Sequence, residues 1–68
     1  MGNLVVSTPG LLSLRLRAAL TQQQLGTQAG VRRATISVLE NGGQCRITTV
    51  RKLADALRCE PSELLDGR

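Results

Sequence analysis

The chain contains no phenylalanine, tyrosine, tryptophan or histidine. Without aromatic rings it has no platforms on which unpaired bases stack, which argues against single-stranded nucleic acid as its partner. Without histidine it lacks the side chain that most often moves protons near neutral pH. No stretch of about 20 apolar residues is present, the length that a membrane-spanning helix requires. The N-terminus has neither a basic start nor a long apolar run, so a signal peptide is not expected. There are two cysteines, Cys45 and Cys59, and no Cys-x-x-Cys pair. A zinc site is therefore not expected, nor, in a reducing compartment, a disulfide. With no glycine-rich phosphate loop either, an enzyme is the least supported class, and neither metal nor cofactor is expected.

What remains is small, basic and rich in arginine. Sixty-eight residues suit one domain built around one core. The net charge of +4 is unevenly spread. Residues 1–53 carry seven basic groups and one acid, Glu40, whereas residues 54–68 carry Arg58 and Arg68 against four acids. A basic body suits an anionic partner, although a solvated basic surface gives the same count. Eight of the nine basic residues are arginine, whose planar fork suits bidentate contacts to phosphate or guanine.

Residues 1–8 read as an arm and residues 9–66 as the domain. Leu4-Val5-Val6 has the composition of a short strand, with three fates open: pairing with a second copy, lying on the body, or disorder. Helix one is expected from Thr8, as cap, and Pro9 to about Ala19. One apolar stripe runs through Leu11, Leu14 and Ala18, another through Leu12, Leu16 and Ala19. Together they cover more circumference than a half-buried helix needs. The surplus lies either under the arm or against another protein.

Thr21 and Gln24 form a capping box, with Leu20 and Leu25 at staple spacing. Leu25, Gly26 and Ala29 then face inward, and Gly30 supplies a positive φ. Helix three runs from about Arg33 to Asn41, with Ile36 and Leu39 inward, Val31 completing the core and Gly42 as left-handed cap. A loop from Gly43 to Ile47 follows, placing Cys45 as an exposed thiol. Helix four, capped by Thr48, carries Val50, Leu53, Ala54 and Leu57 at helical spacing, and Cys59 fills the core behind it. Helix five opens at Pro61 and contributes Leu64 and Leu65. The expected fold is all-α, a compact five-helix bundle. Helices two and three, joined by a tight turn at Gly30-Val31, have the layout of a helix-turn-helix, whose second helix enters the DNA major groove.

Three segments, LRLRAALTQQQLG, AGVRRATISVLENG and TVRKLADALRCEPSELL, follow in order over residues 11 to 66. Together they resemble the phage repressor and Cro (XRE-like) helix-turn-helix family, with its lambda-repressor-like DNA-binding domain. The resemblance implies a structural ion pair between Arg15 and Glu40. It implies a phosphate contact by Gln22, for which the bland alternative is a solvent-facing amide. It implies base contacts from Arg33, Ala34, Ser37 and Val38, with Arg32 and Thr35 nearer the backbone. Arg33 is the candidate for guanine, and Ala34 and Val38 for a thymine methyl. Ser37 is ambiguous, and Val38 has a second reading as a core-edge residue. Arg46 and Thr48 become candidate phosphate contacts, followed by Arg51 and Lys52.

Function follows from the same resemblance: a sequence-specific, double-stranded DNA-binding transcriptional regulator. The expected form is a repressor acting as a cytoplasmic, nucleoid-associated homodimer on a palindromic operator. The dimer is expected through Arg58, Pro61, Leu64 and Leu65. The alternative is a protein-interaction module, such as the antitoxin of a toxin–antitoxin pair, whose main partner is a toxin or a polymerase.

One position departs from helix chemistry. Helix three ought to open on Ser, Thr, Asp or Asn, yet Arg32 stands there with Arg33 beside it. Arginine offers no acceptor to the free N–H groups, and two cations oppose the positive end of the helix dipole, at a cost of about 1 kcal/mol. Replacing both, Arg32→Ser with Arg33→Ala, is expected to raise the melting temperature while weakening duplex binding. Unchanged DNA affinity would show that these arginines do not serve DNA.

Overall fold

The computed structural model describes residues 4–66. The elements in order are β1 (Val5–Ser7), α1 (Leu11–Arg17), α2 (Gln22–Ala29), α3 (Arg33–Glu40), β2 (Gln44–Arg46), α4 (Ile47–Leu57) and α5 (Pro61–Asp66). All five helices contribute to one core: Leu11 and Leu14 from α1, Leu25 from α2, Ile36 and Leu39 from α3, Val50, Leu53 and Ala54 from α4, and Leu64 from α5. Most of the inward positions expected from helical spacing are buried; Ala29, Val31, Leu57 and Cys59 are half-buried at the core's edge, and Leu65 is exposed.

The helices are joined by a two-stranded antiparallel sheet that the expected all-α fold lacked. Val5 lies opposite Arg46, Val6 opposite Cys45 and Ser7 opposite Gln44. The described part of the arm thus lies on its own body; residues 1–3 of the arm fall outside the described residues. Strand side chains alternate between faces. Cys45 accordingly turns inward and is buried, with Gln44 and Arg46 exposed beside it. This corrects the expectation of an exposed Cys45 thiol in a polar loop. Three residues are too few for period-two alternation to show in the sequence. Burial also pushes the Cys45 thiol up from its ordinary pKa, which makes it a poor nucleophile. Both cysteines are free.

Two helix starts differ from expectation. Helix α1 begins at Leu11 with Gly10 at the cap, not at Pro9 with Thr8. The Leu11 N–H bonds the Thr8 carbonyl at 3.0 Å, and the Gly10 N–H bonds the Leu64 carbonyl at 2.9 Å. The entry to α1 is thus drawn onto α5, and Thr8 is buried with no hydrogen-bond partner for its hydroxyl. Helix α4 begins at Ile47, with extended Arg46 at the cap, so Thr48 is its second residue and not its cap. The strand feeds directly into the helix, leaving no turn in which a threonine could cap it.

Elsewhere the local signals hold. Thr21 Oγ1 accepts from the Gln24 N–H at 3.0 Å, and Gln24 Oε1 accepts from the Thr21 N–H at 2.9 Å, completing the capping box. Helix α3 ends with Gly42 at φ 94°. The Gly43 N–H bonds the Val38 carbonyl and the Gly42 N–H the Leu39 carbonyl, the paired pattern of a Schellman stop. On α1 the second stripe stays in solvent: Leu12 and Leu16 are 42% and 60% exposed.

Helix α1 stops early, at Arg17, because Ala19 adopts a left-handed conformation with φ 58°. That conformation costs a residue bearing a Cβ about 1–2 kcal/mol, partly offset in glycine by its greater unfolded-state entropy. Ala19→Gly is therefore expected to stabilise the protein by about 0.5–1 kcal/mol, read as a rise of a few degrees in Tm. A fall in Tm would overturn this account of the turn.

Candidate nucleic-acid interface

The interface is built on how closely α3 sits against α2. The turn between them passes through Gly30 at φ 69°, and the Val31 N–H bonds the Gly26 carbonyl at 2.9 Å. A Cβ at Gly26 would meet the Val31 carbonyl oxygen at 2.5 Å, so only glycine permits this approach. Ile36 and Leu39 then plug α3 into the core, both buried. At 100° per residue this leaves Ala34, Ser37, Val38 and Asn41 pointing away from the body.

The far end of α3 is held by an ion pair. Arg15 Nε donates to Glu40 Oε2 at 2.5 Å and Nη2 to Oε1 at 3.0 Å, while Nη1 caps the Leu20 carbonyl at 2.8 Å. The pair is nearly sealed, with the two side chains 12% and 6% exposed. Gln22 Nε2 donates to Glu40 Oε1 at 2.9 Å, so one carboxylate joins α1, α2 and α3. Burial pushes the Glu40 carboxyl up, but the hydrogen bonds from Arg15 and Gln22 and the Arg15 charge outweigh it. The carboxyl is held below the usual carboxylate range. The same pairing raises the Arg15 pKa.

The residues expected to meet DNA fall into three places. Arg32, Arg33, Ala34 and Val38 are exposed on α3, with Thr35 and Ser37 half-buried at its sides. Val38, at 57% exposure, is a surface residue and not part of the core edge. Arg32 occupies the cap with no side-chain hydrogen bond, as its chemistry requires. Gln22 sits in the first turn of α2 with its amide on Glu40; its second N–H has no partner among the described residues and remains for an external acceptor. Arg46 and Thr48 are exposed on β2 and α4, followed by Arg51 and Lys52 on α4.

Sequence reasoning missed Gln44 and Asn41. Gln44 lines a hollow with Ala34, Thr35, Val38 and Leu39, which places the outer face of β2 alongside the exposed face of α3. Arg46, two residues on, shares that strand face. The tight turn after α3, closed by the Gly43 N–H on the Val38 carbonyl, brings Gln44 beside the helix, and the three-residue strand, which leaves no signal in sequence, turns its side chain and that of Arg46 outward. Asn41 is exposed and its amide bonds the Ser37 carbonyl at 2.8 Å.

Among the four residues assigned to a dimer contact, Leu64 is misplaced. It is 0% exposed inside the core, so it anchors α5 and presents nothing to a second copy. Leu65 is 38% exposed, Arg58 is exposed and Pro61 half-buried. Among the described residues no group of three or more His, Cys, Asp or Glu is placed to hold a metal ion. No helix among them is long and apolar enough to cross a membrane.

The helix-turn-helix family model matches residues 11–64, most of the chain. The chain belongs to the helix-turn-helix family, of the repressor and Cro (XRE-like) type. Among solved structures it is similar to the restriction-modification controller protein C.AhdI from Aeromonas hydrophila. The two share 34% identity and a TM-score of 0.77, over 81% of this chain and 85% of the other. No curated relative matches. Strand β1 precedes the residues matched by the family model.

The Glu40 network makes stability depend on pH with a definite sign. A carboxyl held low in the folded state stabilises the fold above its unfolded pKa, about 4.3, and loses that contribution as pH falls through the folded value. Glu40→Gln, which leaves the nearly buried Arg15 charge uncompensated, is expected to cost about 3 kcal/mol at pH 7. The gap to wild type should narrow in urea unfolding at pH 3 and below. A gap independent of pH would show that the charge on Glu40 contributes nothing.

Proposed function

We propose that this chain is a sequence-specific, double-stranded DNA-binding transcription regulator that acts as a homodimer, in the manner of a controller or repressor, on a palindromic site. The observation that carries this reading is the outward face of α3. Arg32 and Arg33 stand exposed at its start beside small, apolar Ala34 and Val38, and the face is held from behind by Gly26 and from its end by Glu40. A helix presented so rigidly fits a major groove about 12 Å wide. Arg33 then reads guanine, while Arg46, Thr48 and the free N–H of Gln22 take phosphates. One such helix covers only a few base pairs, so specificity calls for two copies. The exposed Leu65, with Arg58 and Pro61, offers the surface for the second copy.

A protein-interaction role is the second reading, favoured by the exposed pair Leu12 and Leu16 on α1. They lie one helical turn apart, on an apolar face that the body leaves uncovered.

Selection from random duplex DNA at about 0.15 M salt, followed by salt titration of the winning sequence, separates the two. The expected result is a two-fold symmetric motif with half-sites about 34 Å apart, and loss of a guanine preference on Arg33→Ala. Weak binding without enrichment, falling steeply with salt, would mark the basic face as non-specific.

A further inference from the structure

The segment from Val5 to Gly10 joins two parts of the fold that lie far apart along the chain. Its first half, β1, pairs in register with β2, the strand whose Gln44 and Arg46 turn outward. Its second half ends on α5, where the Gly10 N–H bonds the Leu64 carbonyl at 2.9 Å. That carbonyl belongs to the last turn of α5, and the last carbonyls of a helix have no partner within it. The segment therefore caps α5 from outside. It forms a brace that runs from the connection between α3 and α4 to the helix that offers Leu65 to a second copy.

The brace is kept against local preference. Gly10 has φ −84° and ψ −6°, a turn conformation open to most residues, so the backbone itself does not call for glycine. The approach to α5 does: a Cβ at Gly10 would collide with the Glu63 carbonyl oxygen and stand 3.2 Å from that of Leu64. Thr8, two residues earlier, is a residue type that favours the cap of a helix, yet Gly10 takes the cap of α1. The Thr8 hydroxyl is instead buried with no hydrogen-bond partner, which opposes folding. Both departures fall where the chain is drawn onto α5. Local rules broken together mark a placement that serves more than local stability.

We propose that Gly10 is a positioning residue for operator recognition: by seating α5 on the brace, it sets where the second copy lies and so the spacing of half-sites that the dimer accepts. The inference rests on the dimeric DNA-binding reading above and adds to it what determines the spacing. Leu65, exposed at 38% on the surface offered to the second copy, directly follows the residue whose carbonyl Gly10 holds. A shift in the seat of α5 carries Leu65 with it, and a two-fold axis doubles that shift between the two copies of α3. Each added base pair moves a half-site about 3.4 Å along the duplex and turns it by roughly 35°, so the seat of α5 is read out as a preference for one spacing. The sequence of each half-site is a separate matter. It is read from α3, which Gly26 and the Glu40 network place without the brace.

The test uses the full chain and the duplex selected from random sequence, remade with its half-sites moved together or apart by single base pairs, and a duplex carrying one half-site. Wild type is expected to prefer one spacing about tenfold over its neighbours, because the others require the DNA to twist or bend. Thr8→Val puts a methyl in place of the orphaned hydroxyl; it should raise Tm and keep the wild-type spacing. Gly10→Ala is added in that background, where the gained stability offsets the strain. It should cut the spacing preference to about twofold, or move it by one base pair. The half-site motif and the affinity for the single half-site should stay as in wild type. An unchanged spacing preference in the folded double variant overturns the proposal. So does a loss equal at every spacing, or a failure to fold, either of which reduces Gly10 to a purely structural residue. If wild type selects no two-fold motif, the dimeric reading falls and the proposal with it. A two-fold motif bound equally well at every spacing leaves that reading and removes only the role of Gly10.

Discussion

The Glu40 carboxylate is the point on which the arrangement turns. It takes two hydrogen bonds from Arg15 and one from Gln22, and so joins the last residue of α3 to α1 and to the first turn of α2. Arg15 uses its remaining nitrogen on the Leu20 carbonyl, which settles the turn into α2 as well. A buried carboxylate without partners is costly, and here every bond that relieves the cost also orients an element of the interface. The network sets where α3 ends relative to α2 and where the Gln22 amide points. The residues that face outward have no comparable anchoring of their own.

The opposite end of α3 is built by other means. Arg32 leaves the first N–H groups of the helix without a side-chain acceptor, and two guanidinium groups stand at the positive end of its dipole. What holds that end is steric: glycine at position 26 lets the two backbones touch, and the Val31 N–H reaches the Gly26 carbonyl. Local helix chemistry disfavours Arg32 and Arg33 at this end, and tertiary packing holds the helix there nonetheless. Such conflicts between levels are expected where a surface serves a ligand.

The sheet adds a short second layer to the helical fold. By pairing Val5–Ser7 with Gln44–Arg46, the chain converts a connection between two helices into a strand of fixed register. Val6 and Cys45 sink toward the core while Gln44 and Arg46 turn out. The small sheet gives the apolar arm a place to pack and gives the second flank of α3 a wall. Leu16, by contrast, stays largely in solvent at 60% exposure, and Leu12, at 42%, sits at a hollow that it shares with Ser7, Leu39 and Glu40.

The sequence by itself determined that there are five helices, in what order, and most of the residues each turns inward. Capping at Thr21 and Gln24, the glycine stops at Gly30 and Gly42, and spacing such as Val50, Leu53, Ala54 and Leu57 are local, and local chemistry is readable from neighbours in the chain. The Arg15–Glu40 pair was legible through family resemblance, aided by Glu40 being the lone acid of the basic body. Only the tertiary structure decided the rest. It drew the start of α1 to Leu11 through the Gly10–Leu64 bond, sank Cys45, spent part of Gln22 on Glu40, committed Leu64 to the core and brought Gln44 beside Val38. Each of these depends on residues between about 18 and 54 positions apart in sequence, or on a strand too short to show its period. No pattern along the chain records such meetings, because they are fixed by packing between elements and not by the preferences of any one of them.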